Sequence, residues 1–147
     1  MPVLGGEVDG RSYLVSTEPD GKPLPEALAI ATVLPAARAV ATVEAVAVAL
    51  GILRAAGVDV RLRAADVWLA PSGSKPAARL LPFGAFPGRE HPDYAAPERL
   101  RGKQFDERAD VYALACLLFE CLTGGPPYPG ATTEAVITGR LKSRART

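Results

Sequence analysis

Few side chains in this sequence could do chemistry, and they are scattered. The two thiols are Cys116 and Cys121. Five positions apart on a helix they face different ways, so neither a metal pair nor a local bridge is expected, and they read as two small buried hydrophobes. His91 is the single histidine. A side chain titrating near neutral pH can act as a sensor, but here it reads as an ordinary loop histidine. Asp59 and Asp66 bracket two arginines, Arg61 and Arg63. A carboxylate is a good magnesium ligand, yet one alone holds the ion weakly, because such sites draw on several oxygens. The plainer role for Asp66 is to open a strand or bond a turn.

The elements that must position these groups follow from pattern. Val3-Leu4 and Ser12–Val15 predict two strands around a turn rich in glycine, and Pro19-Asp20-Gly21 ends the second. Pro25 to Leu34 predicts a short helix, and Pro35 starts the next. There Val40, Val43, Ala47 and Leu50 recur on one face, and Gly57 is the stop. Val67–Leu69 and Arg79–Leu81 predict a second strand pair. Residues 84–92 read as loop, and Pro97–Leu100 as a short helix opening. Asp110 is expected to cap an apolar helix reaching about Leu122, before the breaker Gly124-Gly125-Pro126-Pro127. Thr132 or Thr133 opens a last helix through Leu141. The basic residues Arg140, Lys142, Arg144 and Arg146 read as a solvated tail.

Composition bounds the rest. The 147 residues suit one domain, with 48% apolar and 22% charged residues and a net charge of +1. No global field recruits nucleic acid or a membrane surface. No leader is expected at Met1, and the Ala-rich stretch Leu24–Leu53, broken by Pro25, Pro35, Arg38 and Glu44, reads as a core helix rather than a membrane segment. A cytoplasmic location is expected. The fold class expected is α+β, mainly helical.

Taken in order, several motifs carry a family likeness. Asp9–Val15 leads to Ser16, Thr17, Glu18 and Pro19; then come Pro82-Phe83-Gly84, Ala96-Pro97-Glu98, Asp110-Val111-Tyr112 and Gly124–Tyr128. In this the sequence resembles the bacterial eukaryotic-like Ser/Thr protein kinases over nearly its whole length. The resemblance implies a kinase-like C-lobe at 22–141 with a remnant of the N-lobe sheet and hinge at 1–21 and a basic tail at 142–147. It implies that Ser16 is the gatekeeper and that Thr17, Glu18 and Pro19 form the hinge that bonds adenine. Phe83, Gly84, Ala96, Pro97, Glu98 and Asp110 are then structural motif positions. Most of the N-lobe, with its Gly-rich loop and lysine, would lie upstream of Met1, and the last helices beyond Thr147.

Phosphoryl transfer needs cations around the phosphates and a carboxylate to orient the attacking hydroxyl. By the resemblance, Arg61 or Leu62 stands at the catalytic aspartate, Arg63 at the lysine and Asp66 at the asparagine that helps hold metal. Pro82 replaces the magnesium aspartate. Residues 85–95 offer no Ser or Thr, leaving Tyr94 as the only acceptor hydroxyl for a phosphorylation switch. Glu98 lacks its usual distant arginine unless Arg99, Arg101 or Arg108 substitutes. Asp110 is expected to orient the catalytic-loop backbone. The family uses ATP and magnesium; no cofactor is expected here. The reading is an inactive kinase-like fragment that acts, if at all, by binding a protein partner or itself. The alternatives are a Ser/Thr kinase with residual ATP binding or activity once completed by a missing N-lobe, or a decayed, truncated gene product. Uncovered apolar surface is expected near Leu14 and Val15 and on one side of Leu114, Leu117 and Leu118.

Overall fold

The computed structural model describes residues 3–16, 19–81, 94–101, 107–130 and 133–142. It is a mixed structure of helices and two small sheets. Strands β1 (Val3–Val8) and β2 (Arg11–Ser16) form an antiparallel hairpin. They are longer than predicted: Gly5 and Gly6 pair with Leu14 and Tyr13 instead of forming the turn. The turn is Asp9-Gly10, both at positive φ (51° and 71°), the two-residue geometry whose twist matches the strands it joins.

A three-stranded antiparallel sheet follows, in the order β3-β4-β5. Its strands are β3 (Lys22–Pro23), β4 (Val67–Leu69) and β5 (Ala78–Leu80). Sequence patterning missed β3, because two residues carry no period. Gly21 feeds it at φ 118°, and a Cβ there would run into the Leu69 carbonyl. The chain can enter the sheet this tightly only through glycine.

Helix α1 (Leu24–Ala31) ends at Thr32, itself at φ 64°. Helix α2 (Ala36–Ala55) starts after Pro35, which fixes its first turn, and Gly57 at φ 76° turns the chain away beyond its end. The face of α2 differs from the predicted one. Ala39, Thr42, Val46 and Leu50 are buried, whereas Val40 is 48% exposed. An α-helix apolar nearly all round has several equivalent stripes, so its partners choose which one to bury. Those partners are α4 and β5. By length and composition alone, α2 could also cross a membrane, a test that core helices of soluble proteins pass as well.

Helix α3 (Pro97–Leu100) is one turn. Helix α4 spans Glu107–Thr123, so Asp110 sits in its first turn and is not the cap. Helix α5 is Thr133–Lys142. The core draws on Leu24, Leu28, Val46, Leu50, Val67 and Leu117 among others. Leu117, expected to be uncovered on one side, is fully buried, with Leu114 and Leu118 partly buried. Val15 is exposed, as expected; the surroundings of the Leu14 side chain lie outside the description. The α1–α2 turn is tied to the end of α4 by the Leu34 amide donating to the Cys121 carbonyl at 2.7 Å.

Candidate functional site

The candidate site is the segment from Gly57 to Leu69, between the end of α2 and β4. Residues 58–63 belong to no helix or strand, and Arg63 is extended just before a single 3-10 turn, Ala64–Asp66, delivers the chain into the sheet. Alternation decides which side chains look inward. Val60 and Leu62 are buried in the core, and Arg61 between them is exposed. Of the two residues expected at the position of the proton-accepting acid, Leu62, 5% exposed, is a core side chain, and Arg61 is exposed.

Asp66 is 1% exposed and opens β4. Its two carboxylate oxygens accept from Arg63, from Nε at 2.8 Å and Nη2 at 2.6 Å. This bidentate pair closes the 3-10 turn and satisfies a buried charge that would otherwise be costly. The pairing holds the Arg63 guanidinium above its ordinary pKa, the hydrogen bond to Asp66 being the main cause. The Asp66 backbone carbonyl also accepts from the Leu81 amide at 2.8 Å. Each oxygen of the expected metal ligand thus already accepts from a cation. Among the described residues no group of three or more metal-ligating side chains occurs.

A second charged group ties the segment to α3 and α4. The Asp110 carboxylate accepts from Nε and Nη2 of Arg54, at the end of α2. Arg99 of α3 donates to Asp59 at 2.8 Å and lies 3.6 Å from Asp110. The bond to Asp110 is the largest cause of the raised Arg54 pKa. Asp110 was expected to orient the catalytic-loop backbone. It instead collects arginines, and Arg99 links it indirectly to that loop through Asp59. Neither arginine was predicted as its partner. A basic residue in the last turn of α2 was the available signal for Arg54, since such residues favour helix C-termini. Arg99 is thus engaged, and Glu98 is only half-buried, so the cost of a fully buried lone carboxylate does not arise.

Tyr94 cannot serve as a phosphorylation switch in the folded chain. It is 1% exposed, and its hydroxyl donates to Glu120 Oε2 at 2.7 Å. Burial, then the neighbouring Glu120 charge, pushes its pKa far above the usual phenol range. Arg140 is likewise not part of a solvated tail. It is 5% exposed, donates to the Ala95 carbonyl at 2.6 Å, and sits 5.7 Å and 5.3 Å from the Tyr112 and Tyr128 ring centroids. The turn before α3 is thus keyed to α5 by a cation held against two aromatic rings. Cys116 and Cys121 are buried free thiols, and burial pushes Cys121 up to about 12.

Ser16, the expected gatekeeper, closes β2; of the expected hinge residues, Pro19 is buried, while Thr17 and Glu18 lie outside the described residues. Pro82, Phe83, Gly84 and His91 also lie outside them. Ala96 is buried and precedes α3, with Pro97 as its first residue. The structure thus brings together Arg54, Asp59, Arg99 and Asp110, and separately Arg63 with Asp66. Among the described residues it assembles no group of three or more carboxylates.

Residues 88–146 match the family model for the protein kinase domain. The chain is similar to serine/threonine-protein kinase PknD of Mycobacterium tuberculosis, at 51% identity over 53 residues, which are 36% of this chain and 8% of that protein. It is also similar to PknH of Mycobacterium bovis, at 48% over 48 residues, 33% of this chain and 8% of the relative. PknE of Mycobacterium tuberculosis is 60% identical over 37 residues, 25% and 6%. The chain therefore spans under a tenth of the length of these curated relatives. Within the family match fall Ala96-Pro97-Glu98, Asp110-Val111-Tyr112 and Gly124–Tyr128; Asp66, the two arginines before it and the hinge fall outside it.

Proposed function

We propose, starting from residues 88–146 being a segment of the protein kinase family's domain, that this chain does not transfer phosphate and works as a protein-interaction module on a C-lobe-like scaffold. In this reading residues 22–141 keep the lower-lobe framework, and residues 1–21 correspond to remnant N-lobe strands and hinge. A mutual switch by phosphorylation is not part of it, since Tyr94 is enclosed.

The observation that carries the proposal is the state of the segment before β4. Transfer to a hydroxyl needs a carboxylate within hydrogen-bond reach of the attacking oxygen and a metal held against the phosphates. Leu62 contributes a core methyl group instead of an acid, Arg61 contributes a positive charge, and the buried carboxylate of Asp66 is consumed by Arg63. Losing a positioned base alone costs roughly 10²–10⁴-fold in rate.

The test combines a radiolabel-transfer assay from γ-labelled ATP, using a generic protein substrate, with thermal melts in ATP with and without magnesium. No transfer and no saturable nucleotide shift are expected. A ligand at a hundred times its dissociation constant would stabilise the fold by about 2.7 kcal/mol, an easily read shift. Transfer above background that disappears in an Asp66→Asn variant would defeat the proposal.

A further inference from the structure

A further cavity lies beyond the candidate site. It is an open groove of about 1130 Å³ between one face of α2 and the β4–β5 hairpin, running from Pro35 to Ile52 along the helix and from Ala70 to Leu81 along the hairpin. Seventeen steps of α-helix give it a length of about 25 Å. Its floor is α2's uncommitted stripe, where Ala41, Ala45 and Ala49 lie beside the exposed Val48 and Ile52. Alanines let a backbone approach the helix closely, and exposed apolar side chains in a groove are what binding surfaces share.

Its other wall is a sheet edge. In β3-β4-β5, β5 is the last strand among the described residues. The hairpin register shows which backbone groups are committed. The Ala70 amide donates to the Ala77 carbonyl at 3.0 Å, and the Leu81 amide to the Asp66 carbonyl at 2.8 Å. In an antiparallel ladder alternate residues bond the same neighbour. Residues 77, 79 and 81 therefore face β4, and Ala78 and Leu80 direct their amides and carbonyls away from it. Ala78 is 2% exposed, so its outward groups are covered and this wall meets a ligand through side chains.

The rim is charged unevenly. Arg38, Lys75 and Arg79 line it against the single carboxylate of Glu44 among the described lining residues. Arg38 is fixed there by donating to Ser72 Oγ at 3.1 Å and to the Ala70 carbonyl at 2.9 Å, which holds the hairpin against α2 and leaves the guanidinium's remaining N–H groups for a ligand.

We propose that this groove accepts an extended acidic peptide from a protein partner, with alternate side chains on the α2 floor and carboxylates at the basic rim. At about 3.3 Å per residue the groove holds seven or eight residues. Complementary charge favours that occupant. The inference rests on the interaction-module reading and gives it a partner class.

The probe is a fluorescein-labelled octapeptide alternating glutamate with leucine, titrated into the full chain and read by anisotropy. Saturable binding is expected. It should weaken by roughly tenfold or more in Lys75→Glu/Arg79→Glu, whose folding is checked by its thermal melt, and fall as salt rises. No saturation, or equal binding of a lysine-leucine peptide, would each overturn the proposal. So would oleate occupying the groove while the peptide does not. Phosphate transfer by the chain would defeat the interaction reading whatever the peptide does; absent peptide binding without transfer would defeat the groove alone.

Discussion

Replacing Tyr94 by phenylalanine removes one oxygen and leaves the ring in place. The ring is enclosed, so the Tyr94→Phe variant keeps its packing and loses only the bond to Glu120. A hydrogen bond to a charged acceptor contributes about 1.5–3 kcal/mol. Glu120 is half-buried and regains some water when the hydroxyl goes, which reduces the expected loss to about 1–2 kcal/mol. For a chain of this length that is a fall in Tm of roughly 2–8 °C. Tyr94→Ala empties the ring's volume too and should cost about 3–5 kcal/mol. Urea denaturation of Tyr94→Phe, Glu120→Gln and the double variant isolates the pair, with an expected coupling of about 0.5–3 kcal/mol. If Tyr94→Phe is as stable as the parent and the cycle shows no coupling, the bond contributes nothing and the reasoning fails.

Arg140→Ala removes the contact to the Ala95 carbonyl and the cation between two rings, and should destabilise by about 2–4 kcal/mol in the same denaturation assay. Thr42 Oγ1 is buried and finds no partner among the described residues, so Thr42→Val, which keeps the shape, should stabilise by about 1 kcal/mol and raise Tm. The folded Cys121 thiol titrates far above its unfolded value, so its contribution is intact below about pH 9 and drains away as pH rises toward about 12. Melts over that range should show falling stability, less steeply in Cys121→Ala, and the thiol should resist alkylating reagents until the chain unfolds. Gly124→Ala should destabilise strongly, because φ is 81° and a Cβ would meet the Thr32 carbonyl; Gly10→Ala, at positive φ in open space, should cost less.

Local signals in the sequence located most elements. Pro35 and Gly57 bracket α2, Asp9-Gly10 makes the hairpin turn, and Gly124-Gly125 ends α4. The buried face of α2 was not legible, since valines and alanines occur on every side and only α4 and β5 distinguish them. Asp110 as a cap was a reasonable reading of a polar residue before an apolar run, but the helix gains its first turn upstream of it. The motif positions told where chemistry would be sought; they could not tell that Arg63 would close on Asp66, or that Asp110 would draw Arg54 across 56 residues. Tyr94 with Glu120 and Arg140 with Ala95 join residues 26 and 45 apart, beyond the reach of any local pattern.

Leu62 has one more consequence, for anyone wishing to retrofit an acid at that position. Its side chain fills interior volume beside Val60, so Leu62→Asp would not simply hang a carboxylate over a cleft. It would strand a charge among hydrocarbons, at a penalty of several kcal/mol, and the group would take up a proton or drag the strand outward. A designer would first have to reverse the in-out alternation of residues 60–63 by inserting or deleting one residue. In this architecture the obstacle to reinstalling the acid is therefore the register of the backbone, more than the identity of a single side chain.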